Sequence, residues 1–238
     1  MEVFKVDNLL ELARGPLFRL AFALMILGTM RQVILTIIGY LEARKKAGDK
    51  NINTGGLAIE TIKWLVPFRY VKKRGLYSLT SFLFHIGLVL VPIFFAGHIR
   101  LWAGAIGITW PALPGPISDW LALLTVVSGI GLIAGRLWNS RSRALSRFQD
   151  WFFTPMIVLV FITGYLAAHP QSSPIGYREV MIVHVLGADL IMLLLPFSKL
   201  IHCILLPFSR YVNDMGWRFV SGSGEAVLAD LGKEGKPV

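Results

Sequence analysis

The sequence predicts an all-α integral membrane protein: a bundle of five transmembrane helices with the N-terminus outside and the C-terminus in the cytoplasm. Three observations carry this. Apolar residues make up 55% of the chain and charged residues 16%, and the mean hydropathy is +0.62, a balance foreign to soluble globules. Apolar runs occupy 17–41, 79–103, 117–138, 151–168 and 177–207, each longer than the ~17 residues a helix needs to cross about 30 Å of hydrocarbon. Basic residues crowd onto alternate connections, which fixes orientation by the positive-inside rule.

The first run is read as a helix starting at Pro16, where a missing N–H costs nothing, and continuing as a cytoplasmic stalk through Tyr40 to Glu42. No basic start and small-residue cleavage site flank it, so it is expected to be an uncleaved anchor. The segment 43–78 carries nine basic residues between Arg44 and Arg74, and 136–150 carries Arg136, Arg141, Arg143 and Arg147. Both connections are assigned to the cytoplasm. The loop 104–116 has no basic residue and 169–178 has only Arg178, so both are assigned outside.

The membrane domain is therefore 1–210, followed by a cytoplasmic tail, 211–238. A net charge of +10 is explained by topology and attraction to anionic lipid, so no nucleic-acid partner is expected. Within 43–78, Ile59, Ile62, Trp64, Leu65, Val66, Phe68 and Tyr70 alternate with basic residues, the pattern of a segment lying on a surface. It rests on headgroups or docks a cytoplasmic partner, and Pro67 interrupts any single helix there. A chain of this length, filled by five spans, leaves no room for a separate domain acting on a soluble substrate. The single cysteine, Cys203, excludes an intrachain disulfide and by itself holds no iron–sulfur cluster, which takes about four thiolates.

Four of the five histidines lie inside apolar runs: His85 and His98 on the second, His184 and His202 on the fifth. An ionisable side chain in hydrocarbon is costly unless it faces the bundle interior and has a partner. The pattern suggests axial ligand pairs for two haems. On one continuous helix, His184 and His202 would leave from one face about 27 Å apart, whereas His85 and His98 would be about 20 Å apart and diverge in direction. Antiparallel threading pairs His98 with His184 near the outer surface and His85 with His202 near the inner one. Hydrogen bonding of the imidazoles across the bundle is the other reading, and two pairs at matching depths favour ligation over it. Gly87, Gly97 and Gly187 are expected to let a flat ring approach backbone.

LFHIG at 83–87, GH at 97–98 and LLLPFSKLIH at 193–202, with His184 upstream, resemble the respiratory nitrate reductase gamma-subunit family. That family includes the cytochromes b linked to sulfite-reductase and heterodisulfide-reductase-like complexes. The resemblance implies a dihaem cytochrome b of the cell inner membrane, with iron ligands at His85, His98, His184 and His202. It implies quinol oxidation near the outer haem and electron transfer to a cytoplasmic iron–sulfur protein subunit, alone or with further membrane subunits. The wider spacing on the second run and the long basic segment after the first favour the sulfur-linked or heterodisulfide-like branch over a nitrate reductase gamma subunit proper. A cofactor-free membrane anchor or a small-solute transporter is the rival from another class; only Pro92 and Pro196 hint at the broken helices a transporter would show.

Other polar residues have two readings each. Arg100, Asp119 and His169 line a quinone pocket near the outer haem or belong to the interfacial belt. Arg31, Arg136 and Lys199 neutralise haem propionates or snorkel to headgroups. Asp189 is an intramembrane carboxylate, functional or held neutral by hydrogen bonding. Cys203 is expected to be a buried small apolar residue.

Overall fold

The computed structural model describes residues 2–46, 54–65, 68–216, 220 and 222–235. All its regular elements are helices: α1 (Glu2–Leu12), α2 (Phe18–Lys46), α3 (Thr54–Leu65), α4 (Phe68–Phe94), α5 (Ala96–Ile106), α6 (Gly115–Trp138), α7 (Ser140–Leu145), α8 (Phe148–Ala168), α9 (Tyr177–Leu194), α10 (His202–Gly216) and α11 (Ser223–Asp230). Five stretches are long and apolar enough to cross a membrane: Asp7–Glu42, Gly75–Phe94, Gly115–Trp138, Phe148–Ala168 and Tyr177–Phe197. The five expected spans are present, with altered ends.

The first span starts earlier than expected. A π-helical turn at Ala13–Leu17 contains Pro16 and joins α1 to α2 without a break, accommodating the missing proline N–H within a locally widened helix. The resulting 36-residue stretch is about 54 Å long, well beyond a hydrocarbon core of about 30 Å. Its ends must therefore extend past the apolar layer.

The second span ends at Phe94, not at residue 103, and this corrects the placement of His85 and His98 on one helix. Phe95 is extended (φ −71°, ψ 128°), and α5 starts beyond it. The break is stabilised by capture of the carbonyls at the end of α4. Pro92 O lies 3.1 Å from His98 Nδ1, Trp110 Nε1 donates to Ile93 O at 2.8 Å, and Leu113 N donates to Phe94 O at 2.9 Å. Carbonyls that would be orphaned at a helix end thus receive donors from α5 and from the connection after it. Gly107, at φ 74°, closes α5 with a left-handed cap.

The fifth run is likewise divided. After α9 come two short 3₁₀ turns, Leu195–Phe197 and Lys199–Ile201, and α10 starts at His202. Five-turn periodicity from His184 to His202 therefore does not apply. Cys203, expected to be buried, is exposed in this second helix. The segment 43–78 is also more regular than a loop, because α2 continues to Lys46, α3 fills Thr54–Leu65 and α4 opens at Phe68. The break expected at Pro67 falls between α3 and α4, although Pro67 itself, like Lys50 and Lys236, lies outside the described residues.

The chain divides into two compact units. The first comprises 1–25 and 70–198. In it α6 packs on α8 and α8 on α9, and small residues permit the close approach. A Cβ at Gly129 would strike Val158 and Phe84, and one at Gly187 would sit 2.7 Å from Val160 Cγ2. Two hydroxyls buried here bond within their own helices, Thr125 Oγ1 to Leu121 O at 2.7 Å and Thr163 Oγ1 to Leu159 O at 2.9 Å, which satisfies them where water is absent. Asp7 pairs with Arg178 at 2.9 Å and Arg14 donates to the Tyr177 hydroxyl at 3.2 Å. These contacts hold the chain's beginning at the same end of the unit as the 169–178 connection.

The second unit comprises 26–69 and 199–238. Here α10 packs on α3, burying Leu57 and Thr61. The Tyr40 and Tyr211 rings meet edge to face at 6.1 Å. Burial, with the Tyr40 phenol beside it, pushes the Tyr211 hydroxyl above the ordinary phenol range.

Candidate functional site

His98 reaches its position because α4 ends early: its ring lies where α5 begins, with Nδ1 3.1 Å from Pro92 O. His184, midway along α9, reaches across to α8, where its Nδ1 is 2.9 Å from Val160 O. A carbonyl oxygen only accepts, so each Nδ1 carries the hydrogen and each Nε2 is left with its lone pair. The two rings are parallel within 4°, with centroids 6.0 Å apart.

Two imidazoles bound through Nε2 to one metal at about 2 Å each place their centroids roughly 6 Å apart. An N–H donated to a backbone carbonyl is also the usual support of a metal-bound histidine. The donor chemistry, two neutral imidazoles each with an unprotonated Nε2, suits ligation of a haem iron. Among the described residues no group of three or more His, Cys, Asp or Glu side chains gathers as an all-protein metal cage would require.

Gly164 on α8 makes room for the His184 ring. A Cβ there would lie 2.8 Å from His184 Cε1 and 3.1 Å from Nδ1, closer than real side chains tolerate. Sequence reasoning missed this residue. Its signal is a lone glycine inside the apolar run 151–168, about one turn beyond Val160, whose carbonyl receives the ring. The glycines singled out instead have other neighbours. The space beside Gly87 is filled by Thr125 and Leu121 O, that beside Gly97 by the Phe95 ring, and that beside Gly187 by Val160. They bring helices and a ring of the protein together, so the room expected for a cofactor at these backbones is already occupied.

His85, on α4 in the first unit, is exposed, with Nδ1 2.7 Å from Ser81 O and its ring edge-on to Phe84 at 5.5 Å. His202 opens α10 in the second unit, its Nδ1 2.6 Å from Lys199 O. All four histidines thus have one ring nitrogen against a backbone carbonyl. The His98 contact crosses the break at Phe95, and the His184 contact runs from α9 to α8.

The expected outer polar residues are partly assembled. His169 sits at the C-cap of α8 with Nδ1 3.0 Å from Tyr165 O, and its Nε2 lies 3.3 Å from Asp119 Oδ2 on α6. The Tyr165 ring lies over the imidazole at 4.5 Å and 26°. Arg100 is exposed on α5 and forms no ion pair with a described residue.

Of the cationic residues, Arg136 is committed to α8. Its Nη1 donates to Asp150 O at 2.6 Å and Thr154 Oγ1 at 3.3 Å, and its guanidinium stands 5.8 Å from the Trp151 ring centroid. Arg31 and Lys199 are exposed, both in the second unit. Asp189 on α9 is 4% exposed, and among the described residues neither carboxylate oxygen has a hydrogen-bond partner.

No family model matches the chain, and no solved structure matches it. One subunit of the dihydromethanophenazine:CoB–CoM heterodisulfide reductase of Methanosarcina thermophila is 27% identical over 130 residues, covering 47% of this chain and 48% of that protein. The match thus spans about half of each protein, at the level of distant homology. A protein of Nitratidesulfovibrio vulgaris, whose name states no function, is 32% identical over 161 residues, 67% of this chain and 70% of its own length. At that identity and coverage, the chain belongs to the same family as the Nitratidesulfovibrio vulgaris protein.

Proposed function

We propose that this chain is a dihaem cytochrome b subunit of a respiratory complex in the cell inner membrane, carrying electrons between a lipid-soluble quinol pool and a cytoplasmic iron–sulfur partner subunit. The observation that carries the reading is the parallel His98–His184 pair, with both Nδ1 atoms against carbonyls and centroids 6.0 Å apart. His98 and His184 hold one haem toward the outer face, and His85 and His202 hold the second toward the inner face. Bound there, the haems supply one-electron oxidation and reduction at two depths.

Everything else falls to the protein. Val160 and Pro92 carbonyls fix the tautomers of the ligands. Gly164 leaves the His184 ring its volume. Five spans put the termini on opposite sides, and the basic residues of 43–78 and 136–150 assign the N-terminus to the outside. The Asp7–Arg178 pair agrees, since it joins the N-terminal segment to the weakly basic 169–178 connection. The basic segment 43–78 and the C-terminal tail are then available to the cytoplasmic subunit.

The distant relative in Methanosarcina thermophila is named for dihydromethanophenazine and a heterodisulfide. This favours the heterodisulfide-like branch over nitrate reductase. It also admits a second electron donor, a dihydrophenazine in place of a quinol.

A reduced-minus-oxidised absorption spectrum with haem quantitation tests the proposal. Two b-type haems per chain are expected, released by acid acetone, because one cysteine provides no C-x-x-C-H attachment. One haem or none in a folded preparation overturns the four-ligand assignment.

A further inference from the structure

We infer that His169 and Asp119 form a proton-accepting dyad for the oxidation of a lipid-soluble ring carrier. The inference deepens the function proposed above and rests on it. His169 Nδ1 faces the Tyr165 carbonyl, so its hydrogen is already placed. The Nε2 lone pair then faces the carboxylate oxygen of Asp119 at 3.3 Å. Two acceptors pointed at each other leave a vacant slot for one proton. Filling it converts a repulsive contact into a charge-assisted hydrogen bond.

The position suits such a task. Asp119 lies just inside the start of α6 and His169 just past the end of α8, so the pair sits where apolar span meets interface. Their side chains are 35% and 26% exposed, so the pair is reachable from outside the protein. Trp120, next to Asp119, is exposed, the placement typical of an interfacial aromatic. The His184 ring lies against Gly164 on the same helix, five residues before His169, about 7.5 Å along the axis.

Asp7, Arg14, Arg178 and Glu179 at this end are engaged elsewhere. Asp7 pairs with Arg178, Arg14 donates to Tyr177, and the Glu179 carboxylate folds back toward Gly176. Arg100 stands exposed on α5. From α8 itself, Tyr165 covers the imidazole face.

A haem held by His98 and His184 would supply, in its ferric form, the one-electron oxidant that balances the chemistry. An O–H bond of a hydroquinone, or an N–H bond of a dihydrophenazine, breaks. Its proton enters the slot between Nε2 and Oδ2, and one electron passes toward that iron. The dyad releases the proton to water through its exposed side, and a second cycle removes the second proton and electron. The carrier leaves as a quinone or phenazine.

The test uses the full haem-loaded chain with Asp119→Asn and His169→Gln, neither of which touches a haem ligand. Dithionite-reduced spectra and haem content should match the parent. Haem reduction by a naphthoquinol and, in a separate arm, by a dihydrophenazine should slow by about a hundredfold or more, the range of general-base loss. Asp119→Glu should recover much of the rate. The faster arm in the parent identifies the carrier class.

Rates within twofold of the parent in both variants, at full haem content, overturn the dyad and leave the cytochrome reading intact. Absence of haem from the parent overturns both. Should the variants lose haem, infrared difference spectra of the parent with ring-labelled histidine decide: carrier oxidation must generate a doubly protonated imidazole, and its absence overturns the inference.

Discussion

The imidazole planes of His98 and His184 lie within 4° of each other, with centroids 6.0 Å apart, although the two residues sit on helices separated by more than eighty positions of sequence. The relationship depends on the break at Phe95. Had α4 continued straight through residue 103, His98 would have been directed by the α4 axis, whereas α5 gives it an axis of its own. If the pair holds one cofactor, loss of either ring should have the same consequence. His98→Ala and His184→Ala are expected to remove the same component of the reduced spectrum, and His85→Ala and His202→Ala the other. Loss of one component by both His85→Ala and His98→Ala would contradict the pairing.

Gly164 supplies an independent check that leaves all ligands in place. Gly164→Ala puts a methyl group 2.8 Å from His184 Cε1, so the ring must rotate or α8 and α9 must separate. The variant should lose the outer spectral component while keeping the inner one. Gly104→Ala, where a Cβ meets nothing within 4 Å, should keep both.

Asp189 predicts an effect of opposite sign. Both its oxygens are buried without a hydrogen-bond partner among the described residues, and an unsatisfied buried polar group costs about 1–3 kcal/mol. Asp189→Val, of similar volume, should raise thermal stability in detergent by roughly that amount. An equal or lower melting temperature would show that the carboxylate has a partner in the folded protein, such as a bound water.

Length and hydropathy made the five spans legible, because twenty apolar residues in succession have few other uses. The histidines were legible too, since imidazole is conspicuous in such runs. Where the helices stop was not. Pro92 is contained within α4, and the break comes three residues later at Phe95, where Trp110 and Leu113 from a distant connection collect the released carbonyls. No local pattern reports a donor arriving from sixteen or more residues away. The same holds for Gly164, whose purpose is visible only once His184 lies against it. It holds for Asp119 and His169 as well, each ordinary alone and meaningful at 3.3 Å.

Arg136 separates a structural role from a cofactor role. Its Nη1 bonds to Asp150 O and Thr154 Oγ1, and its guanidinium stands near the Trp151 ring, all on α8. It therefore ties the end of α6 to the beginning of α8, where the Asp150 carboxylate also accepts the Arg147 N–H at 2.8 Å to cap that helix. Arg136→Gln removes the cation and shortens the reach. Charge-assisted bonds are worth about 1.5–3 kcal/mol each before solvent screening, and this half-buried group should lose on the order of 1–2 kcal/mol. Stability should fall, measured by reversible unfolding in mixed micelles, while both haem midpoint potentials stay unchanged. A shift confined to one potential, with unaltered stability, would instead make Arg136 a propionate partner and assign the α6–α8 junction to apolar packing alone.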